Sequence, residues 1–76
     1  MPNKDTAIEI GRRLRELRGI RTRTGVARAL GLPYSTLQSY EDGSRNPSKK
    51  IQQKLADYYG VSVESIFFDH GKQKKE

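Results

Sequence analysis

Capping residues and glycines divide this 76-residue sequence into short segments, and each segment repeats apolar residues at helical spacing. In the first segment these residues stand at i, i+4 and i+7, the spacing of one buried helix face: Ile10, Leu14 and Leu17. Thr6 and Glu9 form a capping-box pattern at its start, and Gly19 follows its end. The pattern predicts an amphipathic helix over residues 6–18.

The remaining segments predict four more helical stretches. They cover residues 23–30, residues 34–42, a fourth helix from Ser48 to Gly60 and a short helical turn after Ser62. Predicted N-caps and glycine stops bound them: Thr22, Ser48 and Ser62, and Gly31, Gly43 and Gly60. No stretch alternates apolar and polar residues long enough to form a strand. The predicted fold class is therefore all-α.

One domain, residues 6–68, accounts for all the helical signals. Residues 1–5 are expected to form a flexible N-terminus, and residues 69–76, which include His70, contain no apolar residue and are expected to be a disordered tail. At this length a compact fold leaves no space for a deep substrate cavity beside its core. Any function is therefore expected on the outer surface.

Composition excludes several classes of protein. The chain has no cysteine and one histidine, so disulfides and thiolate metal sites are ruled out and no cofactor or metal is expected. No catalytic triad, phosphate loop or metal-ligand spacing is present, so an enzyme is not expected. The longest apolar run is three residues, too short for a signal peptide or a membrane span. A cytoplasmic protein without a small-molecule ligand is the expectation.

Charge is concentrated in the N-terminal part of the chain. The net charge is +6, and residues 1–30 carry eight basic and three acidic residues, against four and three in residues 31–60. An excess on one side favours a polyanionic partner, with nucleic acid ahead of an anionic membrane surface. Arg12, Arg13 and Arg18 can also be read as the solvated face of the first helix.

The second and third predicted helices form a helix-turn-helix. Two helices that cross at a steep angle need a small residue at the contact and a turn residue that tolerates positive φ, and Ala27 and Gly31 meet these needs. Three stretches, RRLRELRGI, VARALGLPYSTLQSYEDGSRNPS and KLADYYGVSVESIF, resemble the lambda repressor and Cro-like (XRE) family of DNA-binding domains. The resemblance runs from Ile10 to Phe67. It implies a compact five-helix bundle that binds operator DNA as a two-fold dimer.

The resemblance also implies roles for individual residues. Helix 3, about residues 34–42, is the recognition helix in such domains and reads base edges in the major groove. Carried over by position, the base-reading residues are Tyr34, Ser35, Gln38 and Ser39. The Gln38 amide suits a paired contact with adenine. Tyr34 has an alternative role at the edge of the core.

Phosphate contacts and a structural pair follow from the same resemblance. The predicted phosphate contacts lie before helix 2, at its start, in the loop after helix 3 and at the start of helix 4: Thr22, Arg23, Ser44, Arg45, Asn46 and Lys49. Arg23 stands where the family commonly has glutamine. Glu41 matches a family carboxylate that bonds an arginine on helix 1, and Arg15 is the matching position.

The sequence offers one candidate dimer surface and more than one kind of partner. Three consecutive apolar residues at a helix end cannot all face one core, so Phe68, with Val61 and Val63, is the candidate dimer surface. The expected function is a sequence-specific regulator, a dimeric repressor that binds a palindromic operator in double-stranded DNA. Two alternatives are an antitoxin-like or anti-repressor module that binds a protein, and basic binding to RNA or membranes without sequence preference.

Overall fold

Five α-helices form the part of the chain that the structure, a computed structural model, describes: the backbone of residues 4–68 and the side chains of residues 6–68. They are α1 Lys4–Arg18, α2 Arg23–Leu30, α3 Tyr34–Asp42, α4 Lys49–Tyr59 and α5 Val63–Phe67. No strand occurs within these residues. The predicted all-α fold class and the number of helices are confirmed.

Helix boundaries agree with the sequence pattern except at the start of α1. This helix begins at Lys4, so Thr6 lies inside it and the predicted capping box is wrong. Lys4 and Asp5 can continue a helix, and an acidic residue is favoured in the first turn. Residues 1–3 of the expected flexible N-terminus and the whole expected tail, residues 69–76, lie outside the described residues.

The predicted caps close the other helices. Thr22, Ser48 and Ser62 each accept a hydrogen bond from a backbone N–H three residues later, at donor–acceptor distances of 3.0, 3.4 and 3.1 Å. Gly31 and Gly43 have φ angles of 72° and 82°, in the left-handed region that only glycine adopts at little cost. Local sequence therefore sets where α2 and α3 begin and end.

The core lies at the centre of the five helices, and each of them contributes to it. The residues it contains are Ile10, Leu14, Val26, Ala27, Leu30, Leu37, Tyr40, Leu55, Ala56, Ile66 and Phe67. Leu37 is fully buried and fixes α3 against the other helices. None of the helices among the described residues has the length and apolar character needed to span a bilayer.

Helices α1 and α3 approach each other closely at Gly11, which was not predicted from the sequence. A Cβ atom placed on Gly11 would lie 2.8 Å from the carbonyl carbon of Glu41 and 2.9 Å from the carbonyl oxygen of Tyr40. Any side chain larger than hydrogen would force the two backbones apart. Ala27, the small residue expected at the α2–α3 contact, is buried as predicted.

Basic side chains also tie the ends of helices to their neighbours. The Nη1 of Arg13 donates to the carbonyl oxygens of Ile66 and Phe68, at 2.9 and 3.1 Å. The Nζ of Lys54 donates to the carbonyl oxygen of Leu30 at 2.8 Å. Cationic groups are favourable at helix C-termini, where carbonyls lack helical partners. These two residues therefore hold α5 on α1 and α2 on α4.

Candidate functional site

The α2–turn–α3 unit presents one face of α3 to solvent. After α2, the backbone N–H of Leu32 donates to the carbonyl oxygen of Ala27 at 2.9 Å, which closes the turn. Pro33 is the N-cap of α3, and its carbonyl oxygen accepts from the N–H of Leu37 at 3.2 Å. Leu37, Tyr40 and Glu41 are buried, so the other side of α3 stays accessible.

The residues predicted to read bases lie on this accessible side. Tyr34 and Ser35 are exposed, and Gln38 and Ser39 are half-buried. The Ser39 hydroxyl donates to the carbonyl oxygen of Ser35 at 2.9 Å, so its proton is used inside the helix while its oxygen can still accept a hydrogen bond. The structure thus brings the four residues together on one helix.

Glu41 lies at the end of α3, and its side chain is fully buried. Its two carboxylate oxygens accept hydrogen bonds from the Nε atoms of Arg18 and Arg23, at 2.9 and 2.7 Å. The Nη1 of Arg15 donates to the backbone carbonyl of Glu41 at 2.6 Å. Three arginines from α1 and α2 therefore converge on one residue of α3 and hold this helix in place.

The predicted Arg15–Glu41 side-chain pair is wrong in its arginine. Arg18 bonds the carboxylate because it lies one helical turn beyond Leu14 and so on the face of α1 that packs against the core, whereas Arg15 reaches only the backbone. The spacing from Leu14 was the signal that could have identified it. Arg18 is consequently not part of a merely solvated face.

Arg23, the first residue of α2, binds this buried carboxylate through its Nε. Glu41, and after it the Tyr34 hydroxyl, raise the pKa of the Arg23 guanidinium by hydrogen bonding. The Nε of Arg23 is committed to Glu41, and its contact with a phosphate stays a prediction. Arg18, Arg23 and Tyr34 also line an open cavity of about 550 Å³ at the start of α2.

The other predicted phosphate contacts lie at both ends of the helix-turn-helix. Thr22 is exposed, and its hydroxyl oxygen accepts from the N–H of Gly25. In the loop after α3, Arg45 and Asn46 are exposed. Ser44, also in this loop, and Lys49, at the start of α4, are exposed too.

The candidate dimer residues differ in exposure. Val61 and Val63 are partly buried and pack against the core of the protomer, whereas Phe68 is 48% exposed. Phe68 follows α5 directly, and Arg13 holds its carbonyl group. Phe68 is therefore the member of this set most available to another molecule.

Two further arginines, one on α1 and one in the α1–α2 loop, interact with other side chains of the protein. Arg12 forms ion pairs with Glu9 and Glu16 on the exposed face of α1. The guanidinium of Arg21 lies 5.8 Å from the ring centre of Tyr58 and 5.9 Å from that of Tyr59, within range of a cation–π interaction. Among the side chains of residues 6–68, no group of three histidine or acidic residues is placed to hold a metal ion.

Comparison with known proteins relates this arrangement to a family. A family model described as a helix-turn-helix domain matches residues 9–66. The uncharacterized HTH-type transcriptional regulator YazB of Bacillus subtilis is 40% identical over 58 residues, which are 74% of this chain and 84% of YazB. An uncharacterized HTH-type transcriptional regulator of Methanocaldococcus jannaschii is 37% identical over 46 residues, 60% of this chain and 70% of that protein. No solved structure matches the chain significantly. The match covers most of the described helices, and the chain belongs to the helix-turn-helix domain family.

Proposed function

We propose that this protein is a sequence-specific transcription regulator that binds double-stranded DNA and reads an operator through the major groove with α3. The observation that carries the proposal is that α3 has one buried side and one accessible side. Leu37, Tyr40 and Glu41 anchor one side in the core, and the opposite side carries accessible polar groups. A major groove is wide enough to admit one α-helix. The similarity to two proteins named as HTH-type transcriptional regulators supports the same function.

Base reading is assigned to Tyr34, Ser35, Gln38 and Ser39. Among them Gln38 has the chemistry for a two-point contact, because its amide can donate to N7 and accept from N6 of adenine. Ser39 offers a hydroxyl oxygen that can accept a hydrogen bond, because its O–H donates to the backbone carbonyl of Ser35. Both features favour bases that present an exocyclic amino group to the groove.

Phosphate contacts flank the reading helix on both sides. Thr22 and Arg23 precede it on the α2 side, and Ser44, Arg45, Asn46 and Lys49 follow it. Contacts of this kind fix the register of a protein on duplex DNA and give binding its salt dependence. The buried Glu41 network ties α3 to Arg18 of α1 and to Arg23 of α2.

The proposed assembly is a homodimer on a palindromic operator, acting as a repressor. A two-fold dimer would place its two α3 helices one helical turn of DNA apart, about 34 Å. The dimer surface is assigned to Val61, Val63 and Phe68, of which Phe68 is the most exposed.

Selection from a random pool of duplex DNA tests this function. The wild-type chain should enrich a palindrome, and Gln38→Ala should enrich a different base at one position of each half-site while retaining affinity for the pool. Lys50→Ala is the control: it removes a charge outside the reading face and should leave the enriched sequence unchanged. A pool that stays unenriched, with binding that vanishes as salt rises, would contradict the proposal and favour an antitoxin-like or anti-repressor module.

A further inference from the structure

The chain has eight arginines, all within the described residues, and most of them are used to hold the fold together. Six have partners inside the protein: Arg12, Arg13, Arg15, Arg18, Arg21 and Arg23. In the part of the chain that the structure describes, Arg28 and Arg45 have no hydrogen-bond or ion-pair partner. The net positive charge therefore overstates the number of guanidinium groups that are free for an external anion.

Arg28 belongs to none of the predicted sites, and it lies beside the proposed reading helix. It is exposed on α2 and, together with Thr24 and Tyr34, lines a cleft of about 290 Å³ between α2 and the start of α3. Ala27 and Leu32 form the apolar remainder of this cleft. A guanidinium group next to a threonine and a tyrosine hydroxyl offers hydrogen-bond donors that suit a phosphate group.

The location of the cleft beside the start of α3 indicates which phosphate of the duplex it would contact. Tyr34 and Ser35 begin α3 at the edge of the cleft, so a duplex that receives α3 in its major groove has one sugar-phosphate wall on the α2 side. Arg45 and Lys49 follow α3 in the chain and are assigned to the other wall under the proposed function. The two unpaired arginines would then contact opposite walls of the groove.

We infer that the cleft formed by Thr24, Arg28 and Tyr34 binds a backbone phosphate of the operator, with Arg28 as the main cationic contact. This inference rests on the proposed DNA-binding function and adds a contact to it. The Tyr34 hydroxyl would then lie at the DNA backbone, in addition to the base contact proposed for Tyr34 above. Arg23, whose Nε is held by Glu41, keeps its other guanidinium nitrogens for the phosphate contact proposed above.

The test measures how the affinity for the selected duplex depends on salt. Arg28→Ala should lower the slope of log K against log salt by about 0.9, the value for one lost phosphate contact. Arg12→Ala is the matched control, because it removes the same formal charge from an exposed helix position where Glu9 and Glu16 already hold the guanidinium. It should leave the slope unchanged. Arg28→Lys retains the positive charge and should keep most of the wild-type slope.

A scan of the duplex with single neutral methylphosphonate linkages locates the contact. One linkage should weaken binding by the wild-type chain and have no further effect on Arg28→Ala. Equal slopes for Arg28→Ala and Arg12→Ala, or a scan that is the same for wild type and Arg28→Ala, would overturn the inference while leaving DNA binding in place. A wild-type chain that selects no DNA would overturn both. Inorganic phosphate at constant ionic strength should not compete; competition at the affinity of the duplex contact would assign the cleft to a free anion instead.

Discussion

At the scale of single residues, Glu41 links α3 to α1 and α2. Its carboxylate is fully buried between Arg18 and Arg23, so its charge is compensated only by these two groups. Glu41→Gln keeps the shape but leaves two arginines facing a neutral amide. We expect the free energy of unfolding in a denaturant titration to fall by about 3 kcal/mol, as for other broken buried pairs.

An exposed glutamate provides the control for this substitution. Glu16 pairs with Arg12 on the solvated face of α1, and Glu16→Gln should change the unfolding free energy by less than about 1 kcal/mol. Similar losses for Glu41→Gln and Glu16→Gln would mean that the arginines gain as much from water as from the buried carboxylate, contrary to the role assigned here.

Tyr59 gives a pH-dependent prediction at the same scale. Burial, and after it the Glu41 carboxylate, raises its pKa to about 12, above the usual value of about 10. The unfolded chain therefore loses this proton first, so the contribution to stability is complete below about pH 10 and is lost as the pH rises through about 12. In Tyr59→Phe this part of the decline should be absent.

The same variant has an expected effect at neutral pH. The Tyr59 hydroxyl is buried and has no hydrogen-bond partner among the described residues. Its removal should leave stability unchanged or raise it by about 1 kcal/mol. Tyr58→Phe is the matched control, because Tyr58 is exposed and its hydroxyl can bond water. A constant difference between wild type and Tyr59→Phe from neutral to alkaline pH would contradict the account.

At the scale of helices, the crossing of α1 and α3 depends on Gly11. A methyl group there would meet the backbone of Tyr40 and Glu41 within 3 Å, and backbone atoms cannot move aside as a side chain can. Gly11→Ala should therefore destabilise the protein by about 3 kcal/mol, despite the better helix propensity of alanine. Thermal unfolding followed by circular dichroism measures the effect.

Gly25→Ala is the paired variant for this prediction. It adds the same methyl group to an exposed position of α2, where the nearest atom is the side-chain oxygen of Thr22 at 3.1 Å. Its effect should stay within about 1 kcal/mol. If the two glycine variants lose equal stability, the close approach of α1 and α3 is not what requires Gly11.

The helices were predictable from sequence where local chemistry decides them, and the network between helices was not. Thr22 begins α2 with a side-chain hydrogen bond, and Gly31 ends it with a left-handed backbone conformation; both features follow from the residue type at that position. The spacing from Leu14 places Arg18 on the core side of α1, but its contact with Glu41 also requires the close approach of α1 and α3 at Gly11, which lies far from Glu41 in the sequence. The availability of Arg28 likewise follows only from knowing where the other arginines are bound.

At the scale of the whole molecule, the proposed dimer surface lies at the end of α5. Phe68 is half exposed, whereas Val61 and Val63 are partly covered by their own core. Phe68→Glu should shift sedimentation from dimer towards monomer, because a charge in an apolar interface loses its hydration. Ile20→Glu, at the fully exposed residue of the α1–α2 loop, is the control and should leave the dimer intact. The reverse outcome would place the interface at this loop.

Backbone amide shifts of the labelled protein report whether α3 enters the major groove of an operator. On addition of the selected duplex, we expect the largest changes along the start of α2, the exposed side of α3 and the loop after it: residues 22–24, 34–39 and 44–49. Changes confined to α5 and the second half of α4, with α3 unaffected, would contradict it.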